Sequence, residues 1–175
     1  GCHLLRHSLN LGQGAALQTG IRYALKQGAN LIVTFDADGQ HDPTDIAKLA
    51  LPIQLGECDI VLGSRFLGQA THIPFARRLL IQAARVVHFI LTGLWMTDAH
   101  NGMRALSRSA ATKITITENR MAHATEILLE IRKHRLNWKE VPVSVVYTPY
   151  SIQKGQSSSS AIRVLFDIIL YKLFK

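Results

Sequence analysis

The sequence predicts an α/β fold built on parallel strands, and three observations lead there. Residues 12–63 alternate helix, strand, helix, strand, the rhythm of a sheet covered by helices. The strand candidates Leu31–Phe35 and Asp59–Gly63 are short apolar runs, as strands buried on both faces are. An acidic loop follows the first of them, at the strand end where open α/β sheets hold their ligands.

Each element has its own signal. Gly12–Gln27 reads as a helix, with Leu17, Ile21, Ala24 and Leu25 on one face and Gly28 to end it. Leu31–Phe35 carries the β-branched pair Ile32-Val33, and Asp36 to His41 form a polar loop. Asp42-Pro43-Thr44-Asp45 reads as a helix start, with Asp42 as cap and Pro43 at the first position. That helix runs to about Leu55 and stops at Gly56. Asp59–Gly63 is the second strand, Ser64–Ile73 a loop, and Phe75–Gly93 a mostly helical stretch behind Pro74. Thr97–Gly102 is a polar loop and Met103–Ser107 a short strand. Met121–His134 spaces Ile127, Leu128 and Ile131 as a helix does. Trp138–Tyr147 alternates Val141, Val143 and Val145 as a strand does. Thr148–Ser160 is a Ser-, Gly- and Gln-rich loop, and Ala161–Lys175 a closing amphipathic helix.

Composition narrows the function classes. The 175 residues are 47% hydrophobic and 18% charged, which excludes a disordered tail or a low-complexity linker. The net charge of +8 favours anionic partners: nucleic acid, phosphorylated small molecules or an acidic membrane surface. Aromatic residues are 7% and no nucleic-acid-binding motif is present, which counts against a nucleic-acid module. Two cysteines, Cys2 and Cys58, make no disulfide framework and fit a reducing, cytoplasmic setting. Leu79–Met96 is the longest apolar stretch, yet Gln82, Arg85, His88 and Thr92 interrupt it; it reads as a buried or interfacial helix rather than a span. Gly1–Leu11 has no signal-peptide pattern. With glycine first, the chain reads as beginning part-way through a longer protein.

The sharpest local feature is Phe35-Asp36-Ala37-Asp38-Gly39-Gln40-His41-Asp42. At strand spacing, residues two apart point the same way, so Asp36 and Asp38 can converge on one hard cation. Mg²⁺ or Mn²⁺ takes such oxygen ligands and leaves positions for water and substrate phosphate. The other reading is a solvated turn with Asp42 capping the next helix, and Asp42 serves as a cap in either case. His41 lies inside this loop as a supporting group. The remaining histidines are scattered without metal-ligand spacing.

Val33-Thr34-Phe35-Asp36-Ala37-Asp38-Gly39-Gln40-His41-Asp42-Pro43 resembles the metal-binding segment of inverting family-2 glycosyltransferases, nearest the dolichyl-phosphate mannose synthase-like branch. Further blocks match in family order from about residue 8 to 157. Asn10–Gly20 resembles the Gly-rich helix start, and Gly63-Ser64-Arg65-Phe66 the segment after the next strand. Asp98-Ala99-His100-Asn101-Gly102-Met103-Arg104-Ala105 resembles the acceptor-side loop, with Glu126 on the following helix. Glu140-Val141-Pro142-Val143 resembles the strand that ends the catalytic fold. The resemblance implies a GT-A fold, a Rossmann-like nucleotide-diphospho-sugar transferase architecture. Residues 1–150 would form a partial catalytic domain, and 151–175 a mobile loop and amphipathic helix.

The resemblance also implies roles. Asp36, Asp38 and Gln40 would bind Mg²⁺ or Mn²⁺ bridging the diphosphate of a nucleotide-sugar donor, where a cation offsets charge on the leaving group. Asp98 and Glu126 are the candidates for the catalytic carboxylate on the acceptor side. A sugar hydroxyl would need a base; a lipid phosphate is already anionic, and Asp98 would then position it. Arg65 and Arg104 could grip phosphate oxygens, and Lys154 could close over the diphosphate with its loop. The acceptor would be a polyprenyl phosphate or a surface glycan, and no nucleic-acid partner is expected.

The family normally opens with a strand bearing Pro-x-Tyr-Asn-Glu and a second ending in an Asp-Gly-Ser-type segment. Neither is in this sequence, so the expectation is an N-terminally truncated fold, with an inactive fragment or partner subunit as the competing reading. In Ile162–Lys175, Leu165, Ile168, Ile169 and Leu173 share one face and Arg163, Lys172 and Lys175 add charge. This helix, with Arg77, Arg78 and Arg85, is the candidate contact with the inner face of a membrane; docking on the protein core is the alternative.

Overall fold

The computed structural model describes residues 1–67, 79, 82–83, 85–86, 89–90, 92–98, 101–119 and 122–146. In chain order these form α1 (Gln13–Lys26), β1 (Leu31–Thr34), α2 (Asp45–Gln54) and β2 (Ile60–Ser64), then β3 (Arg104–Ser107), α3 (Arg108–Lys113), α4 (His123–Lys133) and β4 (Trp138–Pro142). Helical backbone also recurs at described positions from 79 to 92. The expectations for Arg77, Arg78, Lys154 and the helix 161–175 lie outside the described residues.

The sheet order is β1-β3-β2-β4. The two strands from which parallel strands were expected, β1 and β2, do share a direction, and β3 departs from it. β3 runs antiparallel to both β1 and β2, and only β2 and β4 pair in parallel. β1 and β2 still share a direction, because each opposes β3. The α2 crossover between them therefore behaves as a parallel connection, with β3 inserted later in the gap.

Alternation along the strands sorts the core into two layers. Ile32, Ile60, Leu62 and Leu106 face Ile21 of α1, Ala110 and Ala111 of α3, and Ile127, Leu128 and Ile131 of α4. Val61, Ala105 and Met103 face Leu49 of α2, with Val143 and Val145. β2 is buried at every residue, as a central strand covered on both faces must be.

Local chemistry sets the boundaries. Gly28 and Gly56 follow the ends of α1 and α2 with positive φ, the backbone a helix terminus favours. Asp42 accepts from the Thr44 backbone N–H at 2.8 Å, and α2 itself begins at Asp45. Pro43 thus stands in the turn before the helix rather than in its first position. α3 was not foreseen. Ser107 caps it by accepting from Ala110 N at 3.1 Å.

Antiparallel β3 has a consequence for location. Its N-terminal end lies beside the C-terminal ends of β1 and β2. The loops after Thr34 and after Ser64, and the loop before Arg104, therefore meet at one edge of the sheet.

Candidate active site

The acidic loop leaves β1 at Phe35 and turns through Ala37–Gln40. The strand ends before Asp36, so turn geometry rather than strand alternation sets its two carboxylates. Asp38 is exposed and accepts from Gln40 N at 3.0 Å. Asp36 accepts from the Gln13 side chain at 3.1 Å, which ties the loop to the start of α1. Its carboxylate rests against Gly102, where any Cβ would overlap it. Glycine at 102 therefore opens the space in which the acidic loop touches the loop before β3.

Asp98 is buried, and its Oδ2 gathers three donors: Arg65 N at 3.1 Å, Arg65 Nε at 2.6 Å and Asn101 Nδ2 at 3.4 Å. Asn101 in turn accepts from Met103 N at 2.9 Å. The Arg65–Asp98 pair is largely removed from water, at 13% and 2% side-chain exposure. Its charges are thus screened far less than those of a surface pair.

Arg104 opens β3 and is 3% exposed. Burial lowers its pKa, while Asp36 and Asp98 pull it back up. A guanidinium stays protonated regardless, so a buried cation interacts electrostatically with carboxylates of both loops. His41 reports the same neighbourhood. Burial lowers its pKa below the ordinary value, against Asp36 and Asp38, which raise it. Arg65 and Asp98 also act on it, in opposite senses. Its Nδ1 is buried and has no hydrogen-bond partner among the described residues, and the ring is tilted on Phe35. Residues after β4 clasp this loop: His41 bridges Val145, and Val146 N donates to Gln40 O at 2.9 Å.

Asp36, Arg65, Asp98 and Arg104 are thus brought together. Glu126 is employed differently. Its carboxylate accepts from Thr117 N, Thr117 Oγ1 and Glu118 N at 2.9, 2.5 and 2.9 Å. The held segment packs on Gly14, whose N–H donates to Asn119 O at 3.0 Å. A Cβ at Gly14 would overlap the Glu118 carbonyl. The glycine pattern of α1 thus serves backbone packing next to Gln13.

Sequence reasoning gave no role to Gln13, Thr97 or Glu140. A neutral amide in a helix start carries no pattern, and Glu140 was legible only as part of a strand motif. The oxygen donors of Asp36, Asp38 and Gln40 suit Mg²⁺ or Mn²⁺. Among the described residues, no three His, Cys, Asp or Glu side chains group as a metal site by themselves.

The family model for glycosyl transferase family 2 matches residues 1–115. The chain belongs to that family. A UDP-N-acetylglucosamine–dolichyl-phosphate N-acetylglucosaminyltransferase of Methanococcus voltae is 33% identical over 175 residues, covering 98% of this chain and 70% of that protein. A polyprenol monophosphomannose synthase of Mycolicibacterium smegmatis is 27% identical, over 92% of this chain and 62% of its own. The glucosyl-3-phosphoglycerate synthase of Mycobacterium tuberculosis, solved with Mn²⁺, UDP-glucose and phosphoglyceric acid, superposes with a TM-score of 0.59 at 17% identity. That match covers 95% of this chain and 56% of the solved one. The likeness establishes the GT-A fold, and the mixed sheet is the form that fold takes here.

Proposed function

We propose that this family-2 glycosyltransferase chain moves a sugar from a nucleotide-diphosphate donor to a polyprenyl phosphate, with inversion. The observation that carries the reading is the Asp36 carboxylate seated on Gly102. It joins the acidic loop to the loop of Asp98 and Arg104, and through the Asp98 ion pair to Arg65, in one charged patch. The named relatives support the acceptor class: their names specify dolichyl phosphate and polyprenol monophosphomannose.

Asp36, Asp38 and Gln40 would hold a divalent cation, and the cation would offset charge on the departing nucleoside diphosphate. Arg65 and Arg104 bind phosphate oxygens of the acceptor or donor. Asp98 orients Arg65. An acceptor phosphate oxygen attacks the anomeric carbon, and the bond from that carbon to the diphosphate oxygen breaks. The phosphate oxygen is already anionic, so no strong base is required and Asp98 positions rather than deprotonates. Glu126, with three donors on its carboxylate, serves by holding residues 117–118 beside the start of α1. Lys154 remains a proposed closing residue over the diphosphate. The enzyme works at the inner membrane surface.

The test is a thermal-shift titration with nucleoside diphosphates of each base, with and without Mn²⁺. It is paired with transfer of labelled sugar to a short polyprenyl phosphate. One nucleotide should stabilise the chain only with Mn²⁺, and Asp38→Asn should abolish that shift. Equal stabilisation of wild type and variant would overturn the metal assignment. No transfer from any donor would overturn the activity.

A further inference from the structure

Glu140 lies on β4 opposite Leu62 of β2, and its carboxylate faces the loop that carries Asp98. Oε1 accepts from Thr97 N at 2.8 Å, Thr97 Oγ1 at 2.8 Å and Asp98 N at 3.1 Å. Oε2 accepts from Thr97 N at 3.0 Å. The Thr97 hydroxyl has one proton, and a carboxylate can only accept it. The 2.5 Å contact between Ser64 Oγ and Thr97 Oγ1 is therefore donated by Ser64. Ser64 Oγ in turn accepts from Phe66 N and Leu67 N at 3.2 and 3.3 Å. All protons of this chain point one way: backbone of 66–67 to Ser64, Ser64 to Thr97, Thr97 to Glu140.

The chain spans two loops. One end shapes the turn carrying Arg65, and the other fixes the backbone of Asp98. The buried Arg65–Asp98 ion pair bridges the same two loops. Charge-assisted hydrogen bonds from a rigid strand are a strong way to fix such geometry.

We propose that Glu140 is a positioning residue for the acceptor, acting through Thr97 and Ser64 to set the Arg65–Asp98 pair. The inference rests on the acceptor side of the reading given for Arg65, in which its guanidinium meets the acceptor phosphate rather than the donor. Glutamine at 140 replaces one acceptor oxygen with an amide N–H₂, which meets the N–H of Thr97 donor to donor. The fold keeps its strand, but the anchor common to the two loops loses its charge and one accepting oxygen.

The experiment measures steady-state kinetics of wild type, Glu140→Gln and Thr97→Val with donor and polyprenyl phosphate varied separately. Expected for Glu140→Gln is a rise in acceptor KM or fall in kcat of roughly 10–100-fold. Donor KM and Mn²⁺-dependent nucleotide binding should stay within about 2-fold, since the acidic loop hangs on other contacts. Thr97→Val, which removes only the hydroxyl relay, should give a smaller effect in the same direction. An inactive wild type overturns the functional reading. An active wild type with unchanged acceptor kinetics in Glu140→Gln overturns the Glu140 proposal alone. Loss of cooperative melting in Glu140→Gln, with Thr97→Val at wild-type acceptor KM, also overturns it, because Glu140 would then serve only the fold.

Discussion

Asp36 touches Gly102 because glycine leaves the space empty, and that contact is the most direct link between the two halves of the site. Alanine at 102 would put a methyl group where the Asp36 carboxylate lies. The obstructing atoms are the end of a side chain, which swings aside more cheaply than backbone moves. Gly102→Ala should therefore melt within a few degrees of wild type but bind nucleoside diphosphate with Mn²⁺ roughly 100-fold more weakly, the cost of a displacement of about 1 Å. Unchanged affinity would mean that Asp36 does not need its seat. The site was legible here in part. Asp36, Asp38, Arg65, Asp98 and Arg104 stand in recognisable blocks. The shared contact of Asp36 and Gly102 was not, since sequence carries no distance between blocks.

Elements are held in register by a few buried polar ties. Asp45 at the start of α2 is fully buried, and its Oδ2 accepts from Ser144 N at 2.6 Å. Its other oxygen meets Lys48 at 2.5 Å, but that ammonium is 55% exposed and such pairs contribute little. The Ser144 bond thus dominates. Asp45→Ala should cost about 2–3 kcal/mol through the orphaned buried N–H, read as a melting temperature lower by roughly 5–10 °C. A shift under about 1 °C would show that the tie is dispensable. The elements themselves were largely readable. α1, α2, α4 and the strand cores follow apolar spacing, with ends within a few residues except at β4. α3 was missed because six residues carry no helical period of their own. The place of β3 in the sheet was also missed, because a four-residue strand does not name its partner.

Across the whole molecule, the charge of +8 coincides with an apolar surface. Leu79, Val86, Phe89, Ile90 and Trp95 are exposed, Phe89 packs edge-on to Trp95, and Arg85 lies 5.4 Å from the Trp95 ring. Among the described residues no helix is long and apolar enough to cross a membrane. An apolar, aromatic face flanked by arginine is suited to the lipid interface. The protein should sediment with anionic vesicles, and replacing Phe89 and Ile90 together by serine should weaken that binding roughly 10-fold or more. Equal sedimentation of both proteins would remove this face from the membrane contact. The inserted strand has a different consequence, for the order of events in time. Thr34 meets Arg104 across 70 residues of chain, and in the sheet of the described residues β1 and β2 are each hydrogen-bonded to β3 rather than to one another. During synthesis both flanking strands emerge first and wait for the strand that unites them. Closing so long a loop is slow. The acidic loop, Arg65 and Asp98 consequently acquire their mutual geometry late, no earlier than the step that joins β1 to β2, so a nascent chain short of Ser107 has the residues of the site without the site.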